Sequence, residues 1–391
     1  MRPFFDSDIV VNFTLSEEAV QNEKKIVENN RRVLRTCQKE KLITEGKKNW
    51  DKFYHHYKTN FFKDRKWIKI EFDHIFKEET LVNEKIDEEI KDREIEATRG
   101  KKLVLEFGCG VGNTLIPLLI EYEHLNCIGI DFSKNAINLL NEKWNKIMNW
   151  NNTMKEKQGV GATEPAGDDS VEGVSGQMNH VNVEKYSQKH KDICNVIDNS
   201  NNHDEEEEAE SEEGGEDAGT EAGEEAETCM LSHIFEFKDY KKMGSLIKTC
   251  VADITTRDQT TTNICNLGTV DIVLLIYVLS SVQPEKMKNV ISHAHMYLKK
   301  GGYVLLRDYG LYDLTQVRFA NKKEKKISEN FYVRGDKTFV YFFKTEELRE
   351  LFCENDLFEE VQNKYITRIV KNRKRNLEMK RIWVQSIFRK R

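Results

Sequence analysis

Leu103-Val-Leu-Glu-Phe-Gly-Cys-Gly-Val-Gly-Asn113, followed by Cys127-Ile-Gly-Ile-Asp131, decides the fold of this chain. An apolar run, Leu103 to Leu105, ends in Glu106 and then in Gly108, Gly110 and Gly112. The pattern reads as a buried strand, a tight turn that brings backbone close to a ligand, and the start of a helix. The second apolar run ends in Asp131, 23 residues after Gly108. A carboxylate at that place can accept both hydroxyls of a ribose. A pyrophosphate site requires G-x-G-x-x-G, whereas this loop is G-x-G-x-G with Asn113 next and Glu106 before it. That form favours S-adenosylmethionine, which has no phosphate to cradle, over a dinucleotide. A glycine turn that only packs a helix on a sheet is the third reading.

Outward from this loop the chain alternates strand and helix patterns from Lys101. Strands are predicted at 102–107, 126–131, 248–253, 271–276 and 302–307, and helices near 113–122, 133–148, 285–298 and 345–354. Such alternation implies an α/β fold, a Rossmann-like, mostly parallel sheet with helices on both faces. Segments 357–370 and 380–389 read as a C-terminal antiparallel hairpin closing the sheet edge. Ahead of the sheet, residues 1–45 read as an extended start and a polar helix from Glu17 to Lys41. Residues 46–100 open as an extension rich in aromatic and basic side chains. The sheet domain is assigned to 101–150 and 231–391.

Between its two parts, 151–230 breaks the rhythm with Asp204-Glu-Glu-Glu-Glu208 and Glu212-Glu-Gly-Gly-Glu-Asp217. It carries 5 Lys/Arg against 22 Asp/Glu, net −17, within a whole-chain charge of −6. It cannot bury enough apolar surface to offset its ordering entropy, so it reads as a disordered acidic insertion. The remaining residues then carry +11, a balance that favours a polyanionic partner. The 8 cysteines form no C-x-x-C pair, which points to reduced thiols with neither a disulfide frame nor a metal site. No apolar run reaches the roughly 18 residues a membrane span needs. The first 25 residues hold Asp6, Asp8, Glu17, Glu18 and Glu23, the wrong sign for a mitochondrial presequence. Cytoplasm, with nuclear access, is the expected compartment.

Two more strand ends complete the expected cofactor site. Asp253 with Ile254 suits an adenine amino group and ring face, and Ile276 ends the fourth strand. Ligands of open parallel sheets sit beyond the carboxyl ends of the strands, where Gly108, Asp131, Asp253 and Ile276 all fall. The fifth strand runs Gly301-Gly-Tyr-Val-Leu-Leu-Arg307-Asp308-Tyr309-Gly310. Its end offers charge and stacking surface for an acceptor, so Arg307, Asp308 and Tyr309 are the catalytic candidates. Asn330-Phe-Tyr332-Val-Arg334 repeats the mixture downstream.

These segments resemble the tRNA 3-methylcytidine methyltransferases, a branch of the class I adenosylmethionine-dependent enzymes. The likeness rests on Asn49-Trp50-Asp-Lys-Phe-Tyr54, Asn60-Phe-Phe-Lys-Asp-Arg65-Lys-Trp67, the glycine loop, Asp131-Phe-Ser-Lys-Asn-Ala-Ile137, Asp271-Ile-Val-Leu-Leu-Ile-Tyr-Val-Leu-Ser280, Arg307-Asp-Tyr-Gly310 and Asn330-Phe-Tyr-Val-Arg334. It covers nearly all of 45–150 and 245–390. It implies a class I methyltransferase fold and methylation of cytidine N3 at position 32 of the anticodon loop in a subset of tRNAs. It implies further that Trp50 and Tyr54 fold over the cofactor, and that Glu106, Gly108, Gly110, Asp131, Asp253, Ile254 and Ile276 line its pocket. The acidic insertion and Lys337, where the family usually has Gly after Asp336, depart from the pattern.

The chemistry agrees with the residue inventory. Cytosine N3 already presents a lone pair, so orientation can supply most of the acceleration, and a carboxylate would stabilise the cationic product ring. Asp308 is the candidate for that carboxylate. N3 is occupied in a Watson–Crick pair, so the target must be single-stranded or flipped, and single strands are held by aromatic platforms in basic channels. Lys47, Lys63, Arg65, Lys66, Arg334, Lys371, Arg373, Lys374, Arg375 and Arg381 are the RNA-binding candidates. The anticodon stem-loop is the expected partner, with an aminoacyl-tRNA synthetase or another tRNA-binding protein as a further one. The rivals are a methyltransferase acting on a protein or small molecule, and a catalytically silent RNA-binding subunit. The basic balance outside the insertion argues against the first, and the retained Asp131 and Asp253 argue against the second.

Overall fold

A computed structural model describes residues 9–11, 15–77, 101–157, 240–256, 263–372 and 377–391. In chain order the elements are β1 (Ile9–Val11), α1 (Gln21–Asn29), α2 (Thr36–Thr44), α3 (Gly46–Tyr57), α4 (Trp67–Lys77), β2 (Lys102–Phe107), α5 (Leu115–Glu121), β3 (Leu125–Asp131) and α6 (Lys134–Lys157). They continue as β4 (Ser245–Val251), β5 (Val270–Ile276), α7 (Met287–Tyr297), β6 (Leu298–Tyr309), α8 (Leu314–Asn321), β7 (Lys326–Ser328), β8 (Phe331–Val333), β9 (Phe339–Tyr341), α9 (Thr345–Cys353), β10 (Phe358–Asn372) and β11 (Leu377–Lys390).

The main sheet has the order β1-β10-β11-β6-β5-β2-β3-β4. Strands β2 to β6 run parallel, and β11 inserts antiparallel between β6 and β10. The strand order reverses at β2 and β5, so a crevice opens at their carboxyl ends. All five predicted parallel strands and the closing hairpin are present. The short β1 then pairs with β10 and covers its outer edge.

Each face of the sheet carries its own layer. Met287, Val290, Ile291 and Ala294 of α7, with Leu348 and Phe352 of α9, pack on one face. Ile68, Phe72 and Phe76 of α4, with α5 and α6, pack on the other. The aromatic stripe of α4 is therefore core: Ile68, Phe72 and Phe76 are fully buried. A three-stranded antiparallel sheet, β7-β8-β9, stands between β6 and α9. Leu34, Leu42 and Ile43 of the N-terminal segment pack against Ile327, Phe331, Val333 and Phe339 of this small sheet.

Two expectations are corrected. The polar helix expected over 17–41 is two helices, α1 and α2, separated by a linker whose Val33 bridges to Lys326 of β7. The Leu34 N–H donates to the Lys326 carbonyl at 2.8 Å, which takes that stretch of backbone out of the helical ladder. The insertion does not begin at 151 either, because α6 continues to Lys157. Asn151 is buried there, donating to the Lys241 carbonyl at 2.8 Å and accepting its N–H at 3.0 Å. The two borders of the acidic segment thus meet at one asparagine. Residues 158–239, which include most of that segment, lie outside the described residues.

Candidate functional site

The glycine loop after β2 is built as its spacing required. Gly108 has φ +62° and Gly110 φ +52°, the left-handed region that side chains avoid. A Cβ on Gly108 would lie 2.6 Å from Val278, and one on Gly110 would lie 2.7 Å from the Tyr54 hydroxyl. The loop therefore packs directly against the β5 end on one side and α3 on the other. Asp131, at the end of β3, accepts the Gly110 N–H at 3.0 Å and the Ser133 N–H at 2.8 Å. These two bonds leave lone pairs on both carboxylate oxygens for a ligand.

Around the loop lies a cavity of about 270 Å³. Trp50, Tyr54, Glu106, Gly108, Gly110, Asp131, Asp253, Ile254 and Ile276, every residue expected at the cofactor, line this one space. Trp50 and Tyr54 stack with ring centroids 5.8 Å apart and form its α3 wall. Asp253 accepts the N–H and hydroxyl of Thr255 at 2.9 and 2.7 Å. Behind it the buried His293 Nδ1–H donates to the Ile254 carbonyl at 2.9 Å.

Local bonds place the α3 wall. Asp51 accepts the Ser133 hydroxyl at 2.6 Å, and its carbonyl accepts the Asn135 amide at 3.0 Å. The loop after α3 is held by Asp64, which accepts from Asn113 at 3.1 Å and pairs with the buried Lys143 at 3.2 Å. Asn113 also donates to the Phe62 carbonyl, and its own carbonyl accepts the Arg65 N–H at 2.8 Å. Asp51, Asp64, Asn113 and Lys143 were not identified from sequence as a group. Only the helical phase of α6, which puts a lysine on the buried side with Ile147, hinted at a paired charge.

Within the cavity lining cations and rings alternate. The Arg65 guanidinium lies 4.6 Å from the Tyr277 ring centroid. The Tyr277 and Tyr309 rings are 5.3 Å apart, and the Arg334 guanidinium lies 5.3 Å from Tyr309. All four residues line the cavity. Arg65, expected on RNA, is buried there, close enough to Glu106 to stabilise its carboxylate.

Of the three catalytic candidates, only Tyr309 lines the cavity. Arg307 is buried between the rings of Trp67 and Trp383, 4.6 and 5.5 Å from their centroids, and donates to Gln385. Asp308 alternates to the opposite face of β6 and is fully buried. It accepts the Ser280 and Tyr309 N–H groups, each at 2.9 Å, and so ties the turn after β5 to the end of β6. Burial raises its carboxyl to about 6. Neither contacts the cavity as expected: strand alternation turns Asp308 to the face opposite Tyr309, and Trp67 and Trp383 enclose Arg307 on the face that it shares with Tyr309.

The RNA candidates separate as well. Lys47 is exposed at the mouth of the cavity, where an open basic groove of Lys47, Lys48, Lys52 and His55 begins. Lys63 is half-buried and Lys66 exposed, both outside the cavity lining. Arg381 is buried, its Nε donating to Asp313 at 3.0 Å, so it is no surface contact for phosphate. The side chain of Lys371, and Arg373, Lys374 and Arg375, lie outside the described residues. The hairpin bearing them continues past the end of β6, since Trp383 pairs with Tyr309 and residues 377–382 pair with β10. It overhangs the crevice side of the sheet.

Among the described residues no group of histidine, cysteine and carboxylate side chains could hold a metal, and no helix is long and apolar enough to cross a membrane. The cavity fits adenosylmethionine on its own terms. Glu106 is buried with Oε2 lacking a hydrogen-bond partner, an acceptor suited to an ammonium group. Burial raises its carboxyl from 4.5 to about 8. Between those values the folded chain keeps a proton that the unfolded chain has released, so stability falls as pH rises through that window. Glu106→Gln is accordingly expected to raise the melting temperature of cofactor-free protein at about pH 9 and to change it little at about pH 5. The same variant should weaken adenosylmethionine binding. A melting temperature lowered equally at both pH values would remove this account.

A methyltransferase-domain family model matches residues 81–358. The Saccharomyces cerevisiae tRNA(Thr) (cytosine(32)-N(3))-methyltransferase is 30% identical over 382 residues, covering 96% of this chain and 42% of its own length. The Drosophila melanogaster tRNA N(3)-methylcytidine methyltransferase Mettl2 is 28% identical, covering 96% of this chain and 80% of its own. The human tRNA N(3)-cytidine methyltransferase METTL6 is 31% identical, covering 90% of this chain and 82% of its own. This chain therefore spans less than half of the yeast relative and most of the other two.

Proposed function

Because the chain belongs to the methyltransferase family that includes the tRNA N(3)-cytidine enzymes, we propose that it transfers a methyl group from adenosylmethionine to N3 of cytidine 32 in the anticodon loop of a subset of tRNAs. One observation carries the reading: the cavity that holds acids at three strand ends is also lined by Arg65, Tyr277, Tyr309 and Arg334. Such a lining suits a flipped base, which offers a ring to stack and edges to hydrogen-bond.

Asp131 would hold the ribose hydroxyls, Glu106 the ammonium, and Asp253 with Ile254 the adenine. Bound adenosylmethionine supplies a methyl group activated on a sulfonium. Trp50 and Tyr54 cover that region and exclude water. The acceptor nitrogen needs no base, so the rings and guanidinium groups act by orienting the base. Carbon-5 methylation would need a thiolate. Cys109 lines the cavity, but its thiol donates to the Gly110 carbonyl and burial pushes its pKa up, which disfavours the thiolate. Phosphate contacts are assigned to Lys47, which lines the cavity, with its groove, and to the basic residues of the C-terminal hairpin.

The test is methyl transfer to two tRNA transcripts that differ at position 32, with nucleosides analysed by mass spectrometry. We expect 3-methylcytidine from the transcript with cytidine there and none from its uridine counterpart. Methylation of both transcripts alike, or a product other than 3-methylcytidine, would overturn the assignment.

A further inference from the structure

Among Arg65, Tyr277, Tyr309 and Arg334, only Tyr277 has a strained backbone. It follows β5 directly, with φ +56°, in a region where a bulky side chain is rare. Strain of this kind persists only when its surroundings over-determine it, and it concentrates at working sites. Here the surroundings are identifiable. The Tyr277 N–H donates to the Arg307 carbonyl at 2.8 Å, and its side chain lies beside the Arg307 guanidinium, whose charged form it favours. One residue of β6 thus meets both the backbone and the side chain of the tyrosine.

Arg307 is itself immobilised. Its guanidinium is flanked by Trp67 from α4 and Trp383 from β11, and donates to Gln385. Gln385 in turn donates to Glu71 of α4 at 3.1 Å. A chain of contacts therefore runs from α4 through β11 and β6 to the ring of Tyr277. That ring lines the cavity, with Arg65 against it and Tyr309 beside it.

We propose that Tyr277 is a positioning residue for the methyl acceptor, and that Arg307 acts on the reaction only through it. The cavity wall that Tyr277 forms lies between the end of β5, on the cofactor side, and Tyr309, on the acceptor side. A ring fixed there sets how far, and at what tilt, an incoming base approaches the methyl group. An arginine at this strand end then has a task that requires neither contact with RNA nor a proton transfer. The inference rests on the reading of the cavity as a base-methylation site.

The experiment compares Tyr277→Phe, Arg307→Met and the double variant with wild type, measuring kcat, KM for tRNA, and adenosylmethionine affinity by calorimetry. Tyr277→Phe keeps the ring and removes the hydroxyl, so it should lower kcat by about threefold to tenfold, the range of one lost polar contact. KM and cofactor affinity should stay within about twofold, since few of the total contacts lie at the target base. Arg307→Met should lower kcat at least as far, and the double variant no further than Arg307→Met alone. Multiplying effects would show that Arg307 acts independently and would overturn the proposal, as would a Tyr277→Phe enzyme with wild-type kcat. Should Arg307→Met not fold, Tyr277→Gly decides: it relieves the backbone strain but removes the ring, and should cost roughly a hundredfold in kcat. A Tyr277→Gly enzyme with wild-type kcat would sink the idea. Wild type in the same assay keeps the two claims apart, because a wild type that makes no 3-methylcytidine refutes the function and not the role of Tyr277.

Discussion

Asp131→Ala is expected to lower adenosylmethionine affinity by at least about tenfold, and by about a hundredfold if both ribose bonds are lost. A charge-assisted hydrogen bond contributes roughly 1.5–3 kcal/mol, and a ribose offers this carboxylate two hydroxyls. The geometry adds a second cost. Asp131 accepts the N–H groups of Gly110 and Ser133, and both residues are part of the site. Alanine leaves these buried donors unpartnered, so the glycine loop should loosen as well. Asp131→Asn separates the two contributions, because its amide oxygen still accepts one of the N–H groups while the charge is gone. Burial raises the Asp131 carboxyl to about 6. Wild-type affinity should therefore drop as pH falls through that value, when the carboxylate takes up a proton, and the Ala variant should show no such step. Calorimetry across that pH range measures both effects. An Ala variant that binds with wild-type affinity would remove Asp131 from the site.

What could be read from the sequence was what is local along the chain. The loop Gly108 to Gly112 and the acids at Asp131 and Asp253 sit at fixed places in a repeating strand–helix unit, and the topology brings unit ends together. Nothing beyond periodicity was needed to put them in one cavity. The Asp51–Ser133 and Asp64–Lys143 contacts join residues about eighty positions apart. No local pattern announces such pairs. The strand end at Ile276 was legible, but the positive φ of Tyr277, the next residue, goes with a hydrogen bond to the carbonyl of Arg307 from a neighbouring strand. Arg307 and Asp308 were read as a charged tip facing the ligand. Strand alternation alone would have sent one of them to the other face, and the ring pair Trp67 and Trp383 that buries the arginine comes from two distant elements. Composition also hid the state of individual charges. In a tail with 11 Lys/Arg among its last 28 residues, no count distinguishes an exposed arginine from one that completes a buried pair.

Arg381 is that case, and Asp313→Ala should destabilise the fold severely. Asp313 is fully buried after β6 and caps α8, its Oδ1 accepting the Thr315 N–H at 2.9 Å. Its Oδ2 accepts the Ile382 N–H at 2.7 Å and the Arg381 Nε–H at 3.0 Å. One carboxylate thus joins the start of a helix to β11 at the point where the hairpin leaves the sheet. Removing one partner of a buried ion pair costs about 3–5 kcal/mol, because the other charge stays desolvated and uncompensated. Losing a helix cap adds about 1 kcal/mol. Arg381→Ala should cost less than Asp313→Ala, since the carboxylate keeps its two N–H donors. In the double variant the losses should be clearly smaller than their sum, as expected for residues in direct contact. Chemical denaturation of the three variants measures this. The folded Arg381→Ala protein should keep the wild-type salt dependence of tRNA binding. A lost phosphate contact would instead lower the slope of log K against log salt by about 0.7–0.9. If that slope falls while stability is unchanged, Arg381 leaves Asp313 to meet RNA, and the hairpin rearranges when tRNA binds.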